Sequence, residues 1–141
     1  MKVLFDTNIV LDLLMDRMPF SEAAALLISK VEDGTMTGFL CGTTVTTVYY
    51  LVAKELGAAQ ARTEIKKILS LFEVAPVNRP VLESALAVGF DDFEDAVIYE
   101  AACHAGAEAI VTRNQKDFKN SKISIYTSTE LAGILSIQSQ P

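Results

Sequence analysis

The sequence predicts an α/β fold, a three-layer α/β/α sandwich in which helices cover both faces of a mostly parallel central sheet. Short apolar runs alternate with segments of helical periodicity along the chain, an order typical of parallel sheets. The runs Lys2–Phe5 and Glu108–Thr112 are strongly apolar, and polar side chains follow both at once. Ligands bind at the carboxyl ends of strands in such sheets, so the pattern also predicts where a site would lie.

The N-terminal part of the chain is predicted to form one strand and two helices. Lys2–Phe5 is the strand, and the apolar residues of Thr7–Met15 recur at the spacing of a helix that follows it directly. We expect Ser21 to cap the next helix, which runs through Ala23–Val31. Gly34 lies just beyond that helix, where glycine commonly ends one.

The second strand is predicted at Thr37–Cys41, a short apolar stretch that precedes a run of threonines. Thr43 or Thr44 is expected to cap the helix after it, since threonine favours that position. The helix passes through Val48–Leu56, and Gly57 closes it.

The middle of the chain continues the alternation with a helix over Ala58–Leu71 and a third strand over Phe72–Val77. Asn78 is expected to cap the following helix, with Pro80 in its first turn. That helix continues through Val81–Val88, where the helical periodicity persists.

The C-terminal elements are predicted, in order, at Phe93–Ala105, Glu108–Thr112, Ile123–Tyr126 and Thr129–Leu135. The first and last of these are helices and the middle two are strands, and Gly106 ends the first helix. We therefore expect residues 1–135 to form a single domain without an internal repeat or linker. Ser136–Pro141 is expected to be a frayed polar tail.

Composition narrows the classes of function. The chain has 141 residues, half of them hydrophobic, and a formal net charge of −6, which predicts a folded domain that does not coat nucleic acid non-specifically. No apolar stretch approaches the roughly 20 residues of a membrane span, and the N-terminus does not resemble a signal peptide, so we expect a cytoplasmic protein. Cys41 and Cys103 are expected to be buried thiols. His104 is the only histidine, which argues against a His-rich metal site or a Ser-His-Asp relay.

Acidic and amide side chains cluster at three places, each beside an apolar element. Asp6 follows the first strand, Asp92 and Asp95 begin the Ala-rich helix, and Asn114 and Asp117 follow the fourth strand. Because the carboxyl ends of parallel strands meet at one edge of a sheet, the first and third clusters are expected to converge. Neighbouring carboxylates cannot all ionise unless a cation lies among them, and oxygen-only ligands select Mg²⁺ or Mn²⁺. Such a cation can activate water and stabilise an in-line displacement at phosphorus.

Each cluster also has a purely structural interpretation. Asp6 can cap the helix after it, and Asp92 can cap the Ala-rich helix, where acids suit the helix dipole. Asn114 and Asp117 can form an Asx-type turn that leads into one helical turn. Asp95 is explained less well in this way, because it already lies in the first turn, and we expect it to coordinate a metal ion or water.

Basic residues are concentrated beside the last cluster. Arg113, Lys116, Lys119 and Lys122 recur every three residues there. They form either a solvated face or a patch that contacts the phosphates of a nucleic acid, and the sequence favours neither interpretation.

Three segments, in this order and spacing, carry a resemblance to a known family. They are Phe5-Asp6-Thr7-Asn8, Asp92-Phe93-Glu94-Asp95-Ala96 and Ile110-Val111-Thr112-Arg113-Asn114-Gln115-Lys116-Asp117-Phe118. With them, the chain resembles the PIN-domain family over nearly its whole length, and within it the bacterial group close to the VapC-type toxins. The resemblance implies an α/β/α sandwich with a Mg²⁺- or Mn²⁺-dependent ribonuclease activity. In that pattern Asp6 and Asp95 bind the metal, and the third position falls at Asn114 or Asp117.

One position departs from the family pattern. The family usually places a Glu on the helix after the second strand, whereas this chain has threonine at the matching position, Thr46 or Thr47. Glu55 is a poor substitute, since it lies about eight residues further on, roughly 12 Å along a helix. A site with one carboxylate fewer should hold its cation more weakly, with Asp92 as a partial replacement.

The hypothesis that follows is a metal-dependent endoribonuclease that hydrolyses RNA phosphodiester bonds, the toxin of a toxin–antitoxin pair. Its expected catalytic acids are Asp6, Asp95 and Asp117, and its metal ligands are drawn from Asp6, Asp95, Asn114 and Asp117. The residues expected to support these ligands are Thr7, Asn8, Asp92, Asn114 and Thr47, while Arg113 and Lys116 contact the substrate backbone. The expected partners are RNA, a small antitoxin that covers the acidic pocket, and a second copy of the chain in a homodimer.

Two other functions compete with this hypothesis. A PIN-fold module that binds nucleic acid or protein, with weakened or lost catalysis, is favoured by the missing Glu. A flavodoxin-like or receiver-like phosphoacceptor also places acids at strand tips, but it needs a basic residue on a late strand, and Arg113 and Lys116 lie beyond one, in a loop. Thermal stabilisation by Mn²⁺ separates the enzyme from the binding module, because the module need not bind a metal.

Overall fold

Five parallel strands form the central sheet in the computed structural model, which describes residues 1–138. The strands are β1 (Lys2–Phe5), β2 (Thr37–Cys41), β3 (Glu73–Ala75), β4 (Ala109–Val111) and β5 (Ser124–Tyr126). Their order across the sheet is β3-β2-β1-β4-β5, and every neighbouring pair is parallel. From β1, the chain adds β2 and β3 on one side of the sheet, and it then adds β4 and β5 on the other side. The crevice at the carboxyl ends of β1 and β4 is therefore the point where ligands bind in sheets of this kind.

Helices cover both faces of the sheet. They are α1 (Thr7–Leu14), α2 (Ser21–Glu32), α3 (Gly42–Leu56), α4 (Ala58–Leu71), α5 (Arg79–Ala87), α6 (Phe93–His104) and α7 (Ser128–Gln138), with a 3₁₀ helix at Gln115–Phe118. Side chains alternate between the faces along each strand, so β1 buries Val3 and Phe5 on one face and Leu4 on the other. The first face packs against α1, α2, α3, α4 and α7, and the second against α5 and α6. The predicted α/β/α sandwich is confirmed.

Most of the predicted elements are confirmed to within a few residues at their ends. The strands Lys2–Phe5 and Thr37–Cys41 and the helix Ala58–Leu71 have the predicted bounds. Asn78 caps α5 as expected, because its Oδ1 accepts a hydrogen bond from the backbone N–H of Val81 at 3.2 Å. These elements were predictable because their signals are local to a few consecutive residues.

Two predicted helix caps are wrong. Ser21 is the first residue of α2 and not its cap, and its hydroxyl donates to Met18 Sδ at 3.2 Å. Neither Thr43 nor Thr44 caps α3, because that helix begins at Gly42, immediately after β2. Thr44 is buried, and its hydroxyl shares a hydrogen bond with Thr7 Oγ1 at 2.9 Å, so a distant partner takes the group that a cap would have used.

The last helix is longer than predicted. It begins with a capping box, in which the N–H of Thr127 donates to Glu130 Oε1 at 2.9 Å and the N–H of Glu130 donates to Thr127 Oγ1 at 3.2 Å. It then continues to Gln138, so residues 136–138 of the predicted tail are helical. The remaining residues of that predicted tail, 139–141, lie outside the described residues.

Within residues 1–138, no helix has both the length and the apolar character that crossing a membrane requires.

Gly38 of β2 lies in close contact with the ring of Phe72, the residue between α4 and β3. A Cβ atom at this position would lie 2.6 Å from two ring atoms of Phe72, a buried side chain that also packs edge-to-face on Phe5. We expect Gly38→Ala to lower the free energy of unfolding by about 1–3 kcal/mol, measured by urea denaturation. Gly133→Ala is the control, since nothing lies within 4 Å of its Cβ position and alanine favours a helix. Equal stability of the two variants would contradict the prediction.

Candidate functional site

Asp6 lies at the carboxyl end of β1, in the crevice where the sheet changes direction. Its backbone N–H donates to the carbonyl of Val111 at 3.0 Å, and its side chain caps α1. One carboxylate oxygen, Oδ1, accepts from the N–H of Thr7 at 2.8 Å, and the other, Oδ2, accepts from the hydroxyl of Thr112 at 2.7 Å. The residue is only 7 % exposed. The predicted capping role of Asp6 is thus confirmed, and it leaves a buried negative charge on the sheet edge.

The surroundings of Asp6 only partly stabilise its charge. Burial raises the pKa of its carboxyl group, the hydrogen bonds from Thr112 and Thr7 oppose that rise, and the charge of Asp117 adds to it. The cation of Arg113 acts in the opposite direction, as a minor contribution. A raised pKa despite two hydrogen bonds means that the ionised form would be stabilised further by a nearby cation.

Asp95 faces the same group of charges from α6. Asp92 caps that helix, and its Oδ1 accepts from the backbone N–H of Asp95 at 2.9 Å, as the sequence predicts for Asp92. Burial, followed in decreasing order by the charges of Asp92, Asp6, Asp117 and Glu94, raises the pKa of Asp95 to about 6. The sheet edge therefore brings together the three predicted acids, Asp6, Asp95 and Asp117, closely enough for their charges to repel.

The loop after β4 is tied to Asp6 through one hydroxyl. Thr112 Oγ1 accepts from the N–H of Asn114 at 3.0 Å while it donates to Asp6, so it orients both. Asn114 then leads into the 3₁₀ helix, the single helical turn that the sequence predicts. In this turn the N–H of Asp117 donates to the carbonyl of Asn114. Both Asn114 and Asp117 are exposed, but only Asp117 carries a charge that acts on Asp6 and Asp95.

A small cavity of about 70 Å³ opens between α6 and this loop. Its lining includes three acids, Asp92, Asp95 and Asp117, and two lysines, Lys116 and Lys119. Asp6 does not line the cavity. Its volume suits an ion with a few water molecules.

The oxygen donors of this site fit a hard divalent cation. Among residues 1–138, no three acidic, histidine or cysteine side chains lie close enough together to hold a metal ion, so these residues form no ready-made cage. Mg²⁺ does not require such a cage, because it usually keeps several waters and binds one or two carboxylates together with substrate phosphates. Such a cation would stabilise the ionised forms of both acids: the buried, hydrogen-bonded carboxylate of Asp6 and the carboxylate of Asp95, whose pKa is raised.

The threonines of α3 take the side of the site where the family pattern has a Glu. Thr44 contacts Thr7 directly, and Thr47 follows one turn later on the same helical face. Thr46 is exposed and its hydroxyl donates to the carbonyl of Thr43 at 2.9 Å, so it lies on a different face. Of the two alternatives for the missing Glu, this arrangement favours Thr47.

Sequence reasoning missed a buried charge cluster beside Asp6, formed by Asp12, Arg17 and Arg113. Asp12 is 1 % exposed; its Oδ1 lies 3.1 Å from Arg17 Nε and its Oδ2 lies 3.4 Å from Arg113 Nε. Arg17 Nη2 also donates to the carbonyl and to the side-chain oxygen of Asn8, at 3.2 and 3.3 Å. An acid on the apolar face of α1, three residues after the buried Ile9, was the signal that could have revealed the cluster.

Arg113 therefore already makes contacts within the protein. Besides its contact with Asp12, its guanidinium lies over the ring of Phe20, 4.2 Å from the ring centroid. The side chain of Arg113 is 28 % exposed. Lys116, by contrast, is exposed at the rim of the acidic cavity.

Comparisons with known proteins agree with this fold. A family model described as "PIN domain" matches residues 2–116. The chain is 28 % identical over 138 residues to a protein named Ribonuclease VapC1 from Aquifex aeolicus (strain VF5), covering 92 % of each.

Solved structures give the same picture. FitAcB from Neisseria gonorrhoeae superposes with a TM-score of 0.69 at 19 % identity, covering 90 % of this chain and 98 % of that one. A toxin–antitoxin complex from Klebsiella pneumoniae gives a TM-score of 0.68 at 25 % identity, covering 89 % of this chain and 97 % of that one.

Replacing Asp95 should stabilise the metal-free protein at neutral pH. The pKa of Asp95 is about 6 in the folded state, above its unfolded value, so the folded state binds more protons between these values and its stability falls as the pH rises through them. Asp95→Asn removes this loss. We expect the variant to match the wild type at pH 4 and to exceed it above pH 7, by less than about 1 kcal/mol because solvent screens the charges.

Urea denaturation in EDTA between pH 4 and 8 measures this difference. Asp33→Asn is the control, because hydrogen bonds from Thr35 lower the pKa of Asp33 and the expected effect has the opposite sign. An Asp95→Asn variant that is no more stable than the wild type at pH 8 would show that the acids do not repel.

Proposed function

Because the matched family model covers most of the chain, this protein belongs to the PIN-domain family, and on that premise we propose that it is a divalent-metal-dependent endoribonuclease. The observation that carries the proposal is the grouping of Asp6, Asp95 and Asp117 at the carboxyl edge of the sheet, where burial and the charges of the neighbouring acids raise the pKa of Asp95. Clustered carboxylates repel one another in the absence of a cation, whereas a cation among them is bound by their combined negative charge. The relative named as a ribonuclease supports RNA as the substrate.

In this proposal Asp6 and Asp95 hold Mg²⁺ or Mn²⁺, and Asp117 binds it directly or through water. Such a cation would lower the pKa of the water that attacks and would stabilise the negative charge that develops around the phosphorus. Asp117 takes the third position in preference to Asn114, since its charge acts on both other acids. Asn114 keeps a supporting role beside Thr112, which holds its N–H.

The surrounding residues keep these ligands in place. The N–H of Thr7 holds one oxygen of Asp6, and Arg17 holds the carbonyl and side chain of Asn8. Asp92 fixes the first turn of α6 and adds negative charge next to Asp95. Such supporting contacts typically change metal affinity by 10- to 100-fold when they are lost. Lys116, at the rim of the cavity, and Arg113 meet the phosphates of the RNA.

We place the protein in the cytoplasm as the toxin of a toxin–antitoxin pair. Its structural relatives include a complex described as toxin–antitoxin, and its sequence relative carries the name VapC1. The partner is a small antitoxin that covers the acidic pocket with a basic side chain in place of the cation. The active species is a homodimer.

A weakened enzyme, or a module that only binds, is the second candidate. The threonine face of α3 favours it, because Thr44 and Thr47 supply no negative charge where the family pattern has a Glu. The two candidates differ in what divalent cations do to the purified chain.

Asp6→Asn should abolish metal-dependent cleavage while the protein stays folded, because asparagine also caps a helix but carries no charge. In a thermal-shift titration, the wild type at a Mn²⁺ concentration of 100 times its Kd should gain about 2.7 kcal/mol, and Asp6→Asn should gain almost nothing. Asp33→Asn, in the loop at the opposite edge of the sheet, is the matched acid-to-amide control and should respond like the wild type. Cleavage that persists in Asp6→Asn would refute the assignment, and no response in the wild type would favour the binding module.

Thr47→Glu should restore the missing ligand. We expect the Kd for Mn²⁺ to fall by roughly tenfold, because the added carboxylate raises the ligand charge of the site. In EDTA the same variant should melt at a lower temperature than the wild type, since it adds a like charge to an acidic cluster. Thr46→Glu is the control, as its exposed side chain lies on another face of α3. Equal Kd values for the two variants would show that Thr47 does not face the metal.

A further inference from the structure

A second cavity, much larger than the acidic one, lies beside the buried charge cluster. Its volume is about 440 Å³, within the range of pockets that hold small organic ligands. It is lined by Phe20 from the α1–α2 loop, by Arg113 and by the first residues around the start of α7, Thr127 to Thr129. Since Arg113 follows β4 and Thr127 follows β5, the cavity opens at the same carboxyl edge of the sheet as the acids.

The cavity offers a flat aromatic surface with a cation fixed upon it. Phe20 is 40 % exposed, although phenylalanine favours the interior, and the guanidinium of Arg113 lies 4.2 Å from its ring centroid. Both groups are planar, and planar aromatic and guanidinium groups are the surfaces on which unpaired bases stack.

Asp12 fixes the position of this cation. Its buried carboxylate contacts the guanidinium groups of Arg17 and Arg113, and of these two only Arg113 lines the cavity. Of the described residues in the lining of the cavity, Arg113 is the one that is charged, so the cavity suits an anionic ligand. The hydroxyls of Ser128 and Thr129 line the same cavity as further hydrogen-bond donors.

We propose that this cavity binds one nucleotide of a single-stranded RNA, next to the bond that the acidic site cleaves. The base stacks against Phe20 and Arg113, and the phosphate contacts Arg113, Ser128 and Thr129. The inference rests on the proposed function, because the strand is the substrate of the acids. The two sites are neighbours: the charge of Arg113 acts on the carboxylate of Asp6.

Binding of a fluorescein-labelled uridine hexanucleotide, followed by anisotropy in EDTA, tests the cavity without any need for cleavage. We expect Phe20→Leu, which keeps the apolar volume but loses the ring, to weaken binding by about fivefold or more. Tyr50→Leu is the matched control, since Tyr50 is an exposed aromatic residue on α3, away from the cavity, and its Kd should equal that of the wild type.

The dependence of the Kd on salt tests the phosphate contact separately. Arg113→Gln should reduce the slope of log Kd against log salt concentration by about 0.7, the value for one phosphate contact in a single strand. Phe20→Leu should leave that slope unchanged, because stacking releases no counterions. If Arg113→Gln unfolds the protein by removing one of the two guanidinium partners of Asp12, Phe20→Leu still decides the question.

Equal Kd values for the wild type and Phe20→Leu would overturn the proposal, as would a wild type that does not bind the hexanucleotide at all. Either result would leave the cleavage assay on Asp6→Asn unaffected. Conversely, loss of binding in Phe20→Leu would support the nucleotide site even if the wild type cleaved no RNA that was offered.

Discussion

The hydrogen bond from Thr112 to Asp6 is the interaction on which the site depends. It joins the carboxyl ends of β1 and β4, the two strands at which the sheet changes direction, and it does so inside the protein, where water does not compete. The same hydroxyl accepts the N–H of Asn114, so the loop that carries Asp117 starts from a fixed point. Without it, the pairing of β1 with β4 would still bring the start of the loop beside Asp6, but the carboxylate would lose the contact that orients that loop.

Charge is distributed unevenly around that bond, and the imbalance separates two sites. On the α6 side, burial and the negative charges of Asp92 and Asp117 raise the pKa of Asp95. On the α1 side, Asp12 is outnumbered by Arg17 and Arg113. The carboxylate of Asp6 lies between the two and experiences both Asp117 and Arg113. An acidic pocket that suits a cation thus lies next to a basic pocket that suits an anion, an arrangement consistent with hydrolysis of a phosphodiester.

Toward α3, the groups beside Asp6 are uncharged hydroxyls. Thr7 and Thr44 close the space between α1 and α3 with a hydroxyl–hydroxyl bond, which is satisfied without any cation. A carboxylate there would require a compensating charge, whereas two hydroxyls do not. The proposed metal site therefore relies on the acids that follow β1, begin α6 and lie in the loop after β4.

The sequence by itself determined the alternation of strands and helices, the caps at Asn78 and Asp92, and the three acidic segments at the sheet edge, because each is written in a few consecutive residues. Tertiary structure decided the rest. The hydroxyl of Thr44 bonds to Thr7, 37 positions away, and not to a helix end, and Asp12 is compensated by Arg113, a residue about a hundred positions away. Which partner a polar side chain takes depends on what the fold brings near it, because a buried group must be satisfied by whichever donor or charge is within reach.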